Sequence, residues 1–93
     1  MAKYKNVVGP QVRRIRYGLK LRQRDLAARL EVAGWQIDRA GVSKIESRLV
    51  HVSDYRQFYL AYALGVSVVD LLPRIDAKQP IDQAIRSLMA QTR

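Results

Sequence analysis

The sequence predicts an all-α fold, built from five or six short helices in one small domain. Apolar residues recur three and four positions apart along most of the chain, which is the spacing of one face of a helix. No segment alternates apolar and polar residues over a length typical of a strand. The 93 residues, of which 48% are hydrophobic, are enough for a single modest core but not for two.

The first predicted helix begins at Pro10, because proline at the first helical position loses no hydrogen bond. Its apolar face consists of Val12, Ile15 and Leu19. Gly18 marks a weak point or an end of this helix. Residues 1–8 have no periodicity, so we expect them to form a flexible basic arm ahead of the domain.

The second and third predicted helices are adjacent and joined by a turn. The second covers 23–33 and ends at Gly34, which tolerates the left-handed conformation of a helix stop. The third begins after Asp38, whose carboxylate can cap the free N–H groups of the first turn, and it continues to about Ser47.

Three further helices are predicted in the second half of the chain. Ser53 is expected to cap a fourth helix, DYRQFYLAYAL, which Gly65 ends. Ser67 is expected to cap a short fifth helix, VVDLL, which stops at Pro73. Pro80 starts a sixth helix. The apolar stripe of the sixth helix consists of Ile81, Ile85, Leu88 and Met89.

Charge is distributed unevenly along the chain. The net charge is +9, and the first 24 residues contain eight basic residues and no acid. A field of that sign attracts polyanions, although a solvated basic surface is the simpler alternative. Cysteine is absent and His51 is the only histidine, so we expect no metal site and no cofactor, with His51 in a loop or on a phosphate. No secretory signal or membrane-spanning stretch is recognisable, which predicts a cytoplasmic protein.

The second and third predicted helices have the layout of a helix-turn-helix, whose second member enters the major groove of DNA. Val42 and Ile45, three residues apart, would pack one side of the third helix against the core. The other side presents basic, small and hydroxylic residues, namely Arg39, Ala40, Ser43, Lys44 and Ser47. Such residues suit contact with base edges. Spacing alone leaves a groove-reading helix and a plain solvated helix equally open.

Three segments in order, RRIRYGLKLRQRDLAARL, VSKIES and ALGVSVVDLLP, resemble the Cro and phage-repressor family of helix-turn-helix regulators, the xenobiotic-response-element type. The resemblance covers roughly residues 8–73. It implies a compact five-helix, lambda-repressor-like bundle with an additional C-terminal helix, which binds operator DNA as a homodimer. On this basis 9–73 is the DNA-binding domain. The tail, 74–93, dimerises, binds a partner or completes the fold.

The resemblance also implies which residues contact double-stranded DNA. Gln23 matches the residue that opens the family's second helix, touches a phosphate and braces the recognition helix. The outward residues of the third helix match positions that meet bases, and Gly41 among them would permit close approach. Arg22, Arg24 and Arg48 are expected phosphate contacts, with a solvated surface as the alternative. The expected DNA-binding residues are Arg22, Gln23, Arg24, Arg39, Ala40, Gly41, Ser43, Lys44, Ser47 and Arg48.

Other positions match or depart from the family pattern. Arg16 and Glu46 match a pair that joins the first helix to the end of the third, so their role is interpreted as structural. The turn before the third helix is longer than in the shortest family members. Trp35 and Ile37 in this turn are interpreted as a lid over the core, with tryptophan stacking on nucleic acid as the alternative. Arg22 replaces the usual serine or threonine cap of the second helix.

A tyrosine stripe on the fourth predicted helix consists of Tyr55, Tyr59 and Tyr62. The face of this helix that is expected to be apolar consists of Phe58, Ala61 and Leu64. Two interpretations of the stripe are equally open. Either the last helix covers it within one chain, or it forms a homodimer surface.

An enzyme is not indicated, because the chain has no Cys–His pair and no phosphate-binding glycine loop, and its acids are scattered singly. The sequence therefore predicts a sequence-specific DNA-binding regulator that represses by occlusion. An antitoxin is the alternative, whose tail would cover a small protein partner while the helix-turn-helix binds the operator. A nonspecific architectural DNA-binding protein is a third hypothesis.

Overall fold

The computed structural model of the protein describes residues 4–76 and 78–90. It contains the helices α1 (Gly9–Gly18), α2 (Gln23–Ala33), α3 (Arg39–Glu46), α4 (Asp54–Leu64), a 3₁₀ helix (Val68–Leu71) and α5 (Ile81–Ala90). No strand occurs within these two ranges, so the prediction of an all-α fold is confirmed. The bounds of α2 are those predicted, and the short fifth helix is 3₁₀ rather than α-helical.

The helix ends follow from local chemistry at most, but not all, of the predicted positions. Gly34 and Gly65 end α2 and α4 with φ of 118° and 70°, in the left-handed region that favours glycine. Asp38 caps α3 by accepting a hydrogen bond from the Gly41 N–H at 2.8 Å. Ser53 stands before α4, but its side chain makes no capping hydrogen bond, contrary to the prediction.

A single hydrophobic core lies between α1, α2, α3, α4 and the 3₁₀ helix. The helix α2 packs against both α3 and α4, and α1 packs against α3 and the 3₁₀ helix. The fully buried large side chains of this core include Val12, Leu26, Leu30, Val42, Ile45, Leu60 and Leu71. Burial of each such side chain contributes about 1.5–3 kcal/mol, so this core holds α2 and α3 in fixed relation.

Residues 4–8 belong to the folded domain, and the prediction of a flexible arm over 1–8 is wrong for them. The Asn6 amide donates to the carbonyl oxygens of Ile45 and Val50, at 3.2 and 2.9 Å. The Gly9 N–H donates to Asn6 Oδ1 at 2.9 Å, and Val8 is buried. Asn6, together with the Lys5 N–H that donates to the Arg48 carbonyl oxygen at 2.9 Å, orders the segment through long-range contacts, which leave no periodic signal in the sequence. Residues 1–3 lie outside the described residues.

The turn between α2 and α3 folds back on the core, which confirms the interpretation of this turn as a lid. Trp35 and Ile37 are half-buried and pack against the core. The centroids of the Trp35 and Tyr59 rings lie 6.2 Å apart, and the Arg56 guanidinium lies 5.0 Å from the Trp35 ring centroid. Trp35 is therefore occupied by intramolecular packing.

The helix α5 uses only part of its predicted apolar stripe for packing. Ala84 is buried, and Leu88 and Met89 are half-buried. Ile81 and Ile85 remain 66% and 43% exposed. The tyrosine stripe is also exposed at both ends, so the interpretation that the last helix covers it is wrong. Phe58, which was expected on the apolar face of α4, is exposed as well. Residues 91–93 of the tail lie outside the described residues.

Gly9 allows α1 to start against the end of α3. A Cβ atom at this position would lie 2.4 Å from the Ile45 carbonyl oxygen and 3.0 Å from that of Glu46. Both atoms belong to the backbone, so they cannot move aside as a flexible side chain can. At Gly18, by contrast, a Cβ atom would meet nothing within 4 Å.

We therefore expect Gly9→Ala to lower the free energy of unfolding by about 1–3 kcal/mol, the usual cost of overpacking. Gly18→Ala is the matched control, and it should be neutral or stabilising by up to about 1 kcal/mol through helix propensity. Urea unfolding followed by circular dichroism measures both changes. Equal effects of the two substitutions would contradict the close contact at Gly9.

Candidate nucleic-acid interface

The helix α3 presents a buried face and an outward face. Val42, Ile45 and Glu46 are buried against the rest of the domain. The opposite side of α3 is exposed at Arg39, Ala40 and Lys44 and half-buried at Ser43 and Ser47. The structure thus brings together on one surface the five outward residues that the spacing of the sequence predicts.

A buried ion pair joins α1 to the end of α3. Arg16 Nε donates to Glu46 Oε2 at 2.6 Å, and Arg16 Nη2 donates to Glu46 Oε1 at 2.9 Å. Arg16 Nη1 also donates to the Leu21 carbonyl oxygen at 2.8 Å, in the turn before α2. The hydrogen bond to Glu46 raises the pKa of Arg16 above its usual value. The expected structural pair is confirmed, and it joins α1, the end of α3 and the turn before α2.

Gln23 extends this network to the outward face. Its Nε2 donates to Glu46 Oε1 at 3.1 Å, and its Oε1 accepts a hydrogen bond from Arg39 Nη1 at 3.4 Å. The carboxylate of Glu46 can only accept and the guanidinium of Arg39 can only donate. The Gln23 amide must therefore turn its NH₂ group to Glu46 and its oxygen to Arg39. Gln23 therefore braces the first residue of α3, as the resemblance implies.

Arg22 and Arg24 are exposed beside Gln23 at the start of α2. Arg22 Nε lies 3.0 Å from Asp25 Oδ2, and the same oxygen accepts the Arg22 N–H at 2.8 Å. Asp25 therefore supplies the helix cap that the arginine side chain cannot, and these contacts lower the pKa of Asp25. An exposed pair of this kind is weak, so Arg22 can still turn toward a phosphate.

Gly41 does not have the position expected of it. A Cβ atom there would lie 2.5 Å from Ile37 Cγ1, inside the lid. The expectation that Gly41 permits close approach to DNA is wrong, because the missing side chain makes room for Ile37. The glycine thus compensates for the longer turn before α3, since a larger residue would push Ile37 off the core.

Arg48 is not available as a phosphate contact, contrary to the prediction. It is only 2% exposed, and its backbone takes the left-handed φ of 64°. Its Nε donates to the Asn6 carbonyl oxygen at 2.9 Å, its Nη2 donates to the Leu88 carbonyl oxygen, and its guanidinium lies 4.3 Å from the Tyr4 ring centroid. Burial lowers the pKa of Arg48 from its usual value. Arg48 thus joins the N-terminal segment to α5.

Lys20 is an exposed basic residue near this surface that is not among the DNA-binding residues implied by the family resemblance. It lies in the turn between α1 and α2, two residues before Arg22, and it is exposed. Its φ of 59° places the backbone in the left-handed region and sets the course of that turn. Membership in the acid-free basic run is the only sequence signal that could have indicated it. His51 is exposed after α3, in the loop where it was expected.

Comparison of the chain with known protein families, with curated proteins and with solved structures gives no match. The described residues include no group of three His, Cys, Asp or Glu side chains that could hold a metal ion. Across the same residues, no helix has the length and apolar character needed to cross a membrane. A function must therefore be inferred from the α2–α3 surface itself.

The buried pair gives a stability prediction. Glu46→Ala should lower the free energy of unfolding by about 3–5 kcal/mol, because it leaves the Arg16 charge buried without its carboxylate. The double variant Arg16→Met with Glu46→Leu should lose less free energy of unfolding than Glu46→Ala alone, because it leaves no unpaired charge in the interior. Glu31→Ala, at an exposed acid of α2, is the control and should change stability by less than about 0.5 kcal/mol. A small effect of Glu46→Ala in urea unfolding would show that the pair is not essential.

The buried position of Arg48 gives a second prediction. Arg48→Ala should destabilise the fold by more than about 2 kcal/mol, through lost packing and stranded carbonyl groups. Lys44→Ala, four residues earlier and exposed, should stay within about 0.5 kcal/mol of the parent. Thermal and urea unfolding measure both variants. An Arg48→Ala protein of unchanged stability but reduced DNA affinity would restore the expectation of a phosphate contact.

Proposed function

We propose that the protein is a sequence-specific double-stranded DNA-binding regulator that inserts α3 into the major groove. The observation that supports this proposal is the outward face of α3, where Arg39, Ala40 and Lys44 are exposed on a helix held rigidly from behind. The resemblance to the xenobiotic-response-element family points to the same function.

The chemistry of this face suits base edges. A helix with its side chains is about 10–12 Å wide, close to the width of the major groove. Arg39 and Lys44 are donors that match the acceptor atoms of guanine, and Ser43 can donate or accept. Ala40 adds little bulk between them.

Basic residues beside this face suit the DNA backbone. Lys20, Arg22 and Arg24 lie at the start of α2 and in the turn before it, within the acid-free part of the sequence. Contacts from such residues to phosphates position a protein without reading sequence. This division of roles supports specific recognition by α3 and general affinity from the start of α2.

Repression by occlusion is the simplest mode of action for a domain of this size. The proposal includes no catalysis and no cofactor, and it places the protein in the cytoplasm with the DNA it regulates. If the protein acts as a homodimer, it should cover two half-sites about one helical turn apart, so its operator should be a near-palindrome.

An antitoxin that also represses its own operator is the second candidate. The exposed Ile81 and Ile85 on α5 favour it, because such residues can bury against a small protein partner. Expression with the neighbouring genes, followed by purification, distinguishes the two proposals. A second small protein that is retained by the parent and lost from Ile81→Glu would support the antitoxin.

The deciding experiment selects bound duplexes from a random double-stranded pool at near-physiological salt and sequences them. A spaced near-palindrome is expected for specific reading by a dimer. Retained DNA with no enriched sequence would instead indicate a nonspecific architectural protein and would overturn the proposal. Measuring at more than one salt concentration separates the two kinds of binding.

Lys44→Ala tests base reading. We expect it to weaken binding to the selected site by about 1–3 kcal/mol and to leave binding to random DNA nearly unchanged. Arg86→Ala, at an exposed basic residue on α5, removes the same charge and should change binding to neither the selected site nor random DNA. Fluorescence anisotropy with the two duplexes measures the losses. Equal losses on both duplexes would make Lys44 a phosphate contact.

Arg22→Ala tests the backbone contacts. Loss of one phosphate contact should weaken binding to all sequences alike and reduce the slope of log affinity against log salt by about one. The same titrations, repeated at several salt concentrations, measure that slope. A loss confined to the selected site would contradict the assignment of Arg22 to the backbone.

A further inference from the structure

A second exposed surface lies between α2 and α4, and we call it the α2–α4 groove. Its residues on α4 are spaced three and four apart, and two residues of α2 flank them. The groove is formed by Val32, Ala33, Tyr55, Phe58, Tyr59 and Tyr62. Of these, Val32 is 90% exposed, Tyr55 58%, Phe58 66% and Tyr62 77%.

The groove is a large apolar patch for a single small domain. The exposed parts of these side chains amount to roughly 500 Å², at the upper end of what monomeric proteins leave open. No element of the described residues covers the groove, and α5 packs instead against Arg48. Aromatic residues are also the type enriched at the centres of protein interfaces.

We propose that the α2–α4 groove binds the same groove of a second copy of the chain. The two α4 helices would lie antiparallel, with the two-fold axis near Phe58 in the middle of the stripe. Tyr55 would then contact Tyr62 of the second copy, and Tyr62 would contact its Tyr55. A two-fold interface requires this self-complementary pattern.

The charges at the two ends of α4 complement each other in this arrangement. Asp54 lies at the first residue of α4. Arg29 lies at the other end, where its Nη1 donates to the Ala63 carbonyl oxygen at 3.1 Å. Antiparallel pairing brings Asp54 of each copy toward Arg29 of the other. Parallel pairing would instead place like charges together.

The charge of the whole chain also permits self-association on this side. Eight basic residues and no acid lie in the first 24 residues, whereas the remaining nine basic and eight acidic residues nearly balance. The groove belongs entirely to the balanced part: Arg29 adjoins it at one end and Asp54 at the other, and the Arg56 guanidinium lies 5.8 Å from the Tyr55 ring centroid. Charges of both signs at its rim suit a self-complementary partner better than a uniformly acidic one, so the second copy is favoured.

The interface area indicates whether the dimer is weak or permanent. Two grooves would bury roughly 1,000 Å² in total, at the lower limit for a specific interface. The dimer should therefore dissociate in the micromolar range rather than be permanent. This inference adds to the homodimer of the proposed function the surface that forms it. Because self-association is measured without DNA, its failure is distinguishable from a failure of sequence recognition.

Sedimentation equilibrium of the full chain tests the interface with a matched pair of variants. Phe58 and Ile81 are each 66% exposed, so Phe58→Glu and Ile81→Glu add the same charge at equal exposure. Phe58→Glu should raise the dissociation constant by more than about tenfold, and Ile81→Glu should leave it within about twofold. A wild-type monomer at about 100 μM, or equal effects of both variants, would overturn the proposal.

Cross-linking locates the axis. The chain contains no cysteine, so a single introduced cysteine can link only to a second copy. Phe58→Cys should form a disulfide dimer under mild oxidation, because residues near the axis approach within reach of a disulfide. Val69→Cys, at a residue 70% exposed on the 3₁₀ helix, should stay monomeric. Equal cross-linking of both, with helicity unchanged by circular dichroism, would place the axis elsewhere and contradict the proposed pairing.

Discussion

The buried ion pair between Arg16 and Glu46 is the interaction on which the arrangement of α1, α2 and α3 depends. It connects α1 to the last residue of α3, and its remaining hydrogen bonds go to the turn before α2 and to Gln23. Because both charges are withdrawn from water, the pair is stable only with all of these partners in place. Gln23 carries the same network out to Arg39 on the surface. Core geometry and the outward face of α3 are therefore parts of one structure.

A second buried arginine organises the two ends of the chain. Arg48 contacts Tyr4, Asn6 and Leu88, so the N-terminal segment and α5 meet two residues after the end of α3. The result is a basic protein in which the positive charges have different tasks. Arg16 and Arg48 hold the fold together, whereas the exposed ones near α2 and α3 lie at the surface that we propose for DNA.

Helix positions could be predicted from the sequence because their signals are local. The bounds of α2, the cap at Asp38 and the outward residues of α3 follow from spacing, glycine stops and one carboxylate. The errors concern specific side-chain and backbone contacts, some between residues far apart in sequence and some local. The docked segment 4–8 depends on Asn6, the loss of Arg48 from the surface depends on a left-handed backbone, and Gly41 is explained only by Ile37 above it. None of these leaves a periodic pattern.

The outward face of α3 makes almost no contribution to the core. Arg39, Ala40 and Lys44 are exposed, while Val42, Ile45 and Glu46 supply the packing and Gly41 accommodates the lid. The exposed residues of α3 can therefore vary with little cost in stability, whereas its packing residues cannot. A helix whose exposed residues are separate from its packing residues can acquire a new target by substitution of a few exposed residues. Binding specificity and foldability can then evolve separately.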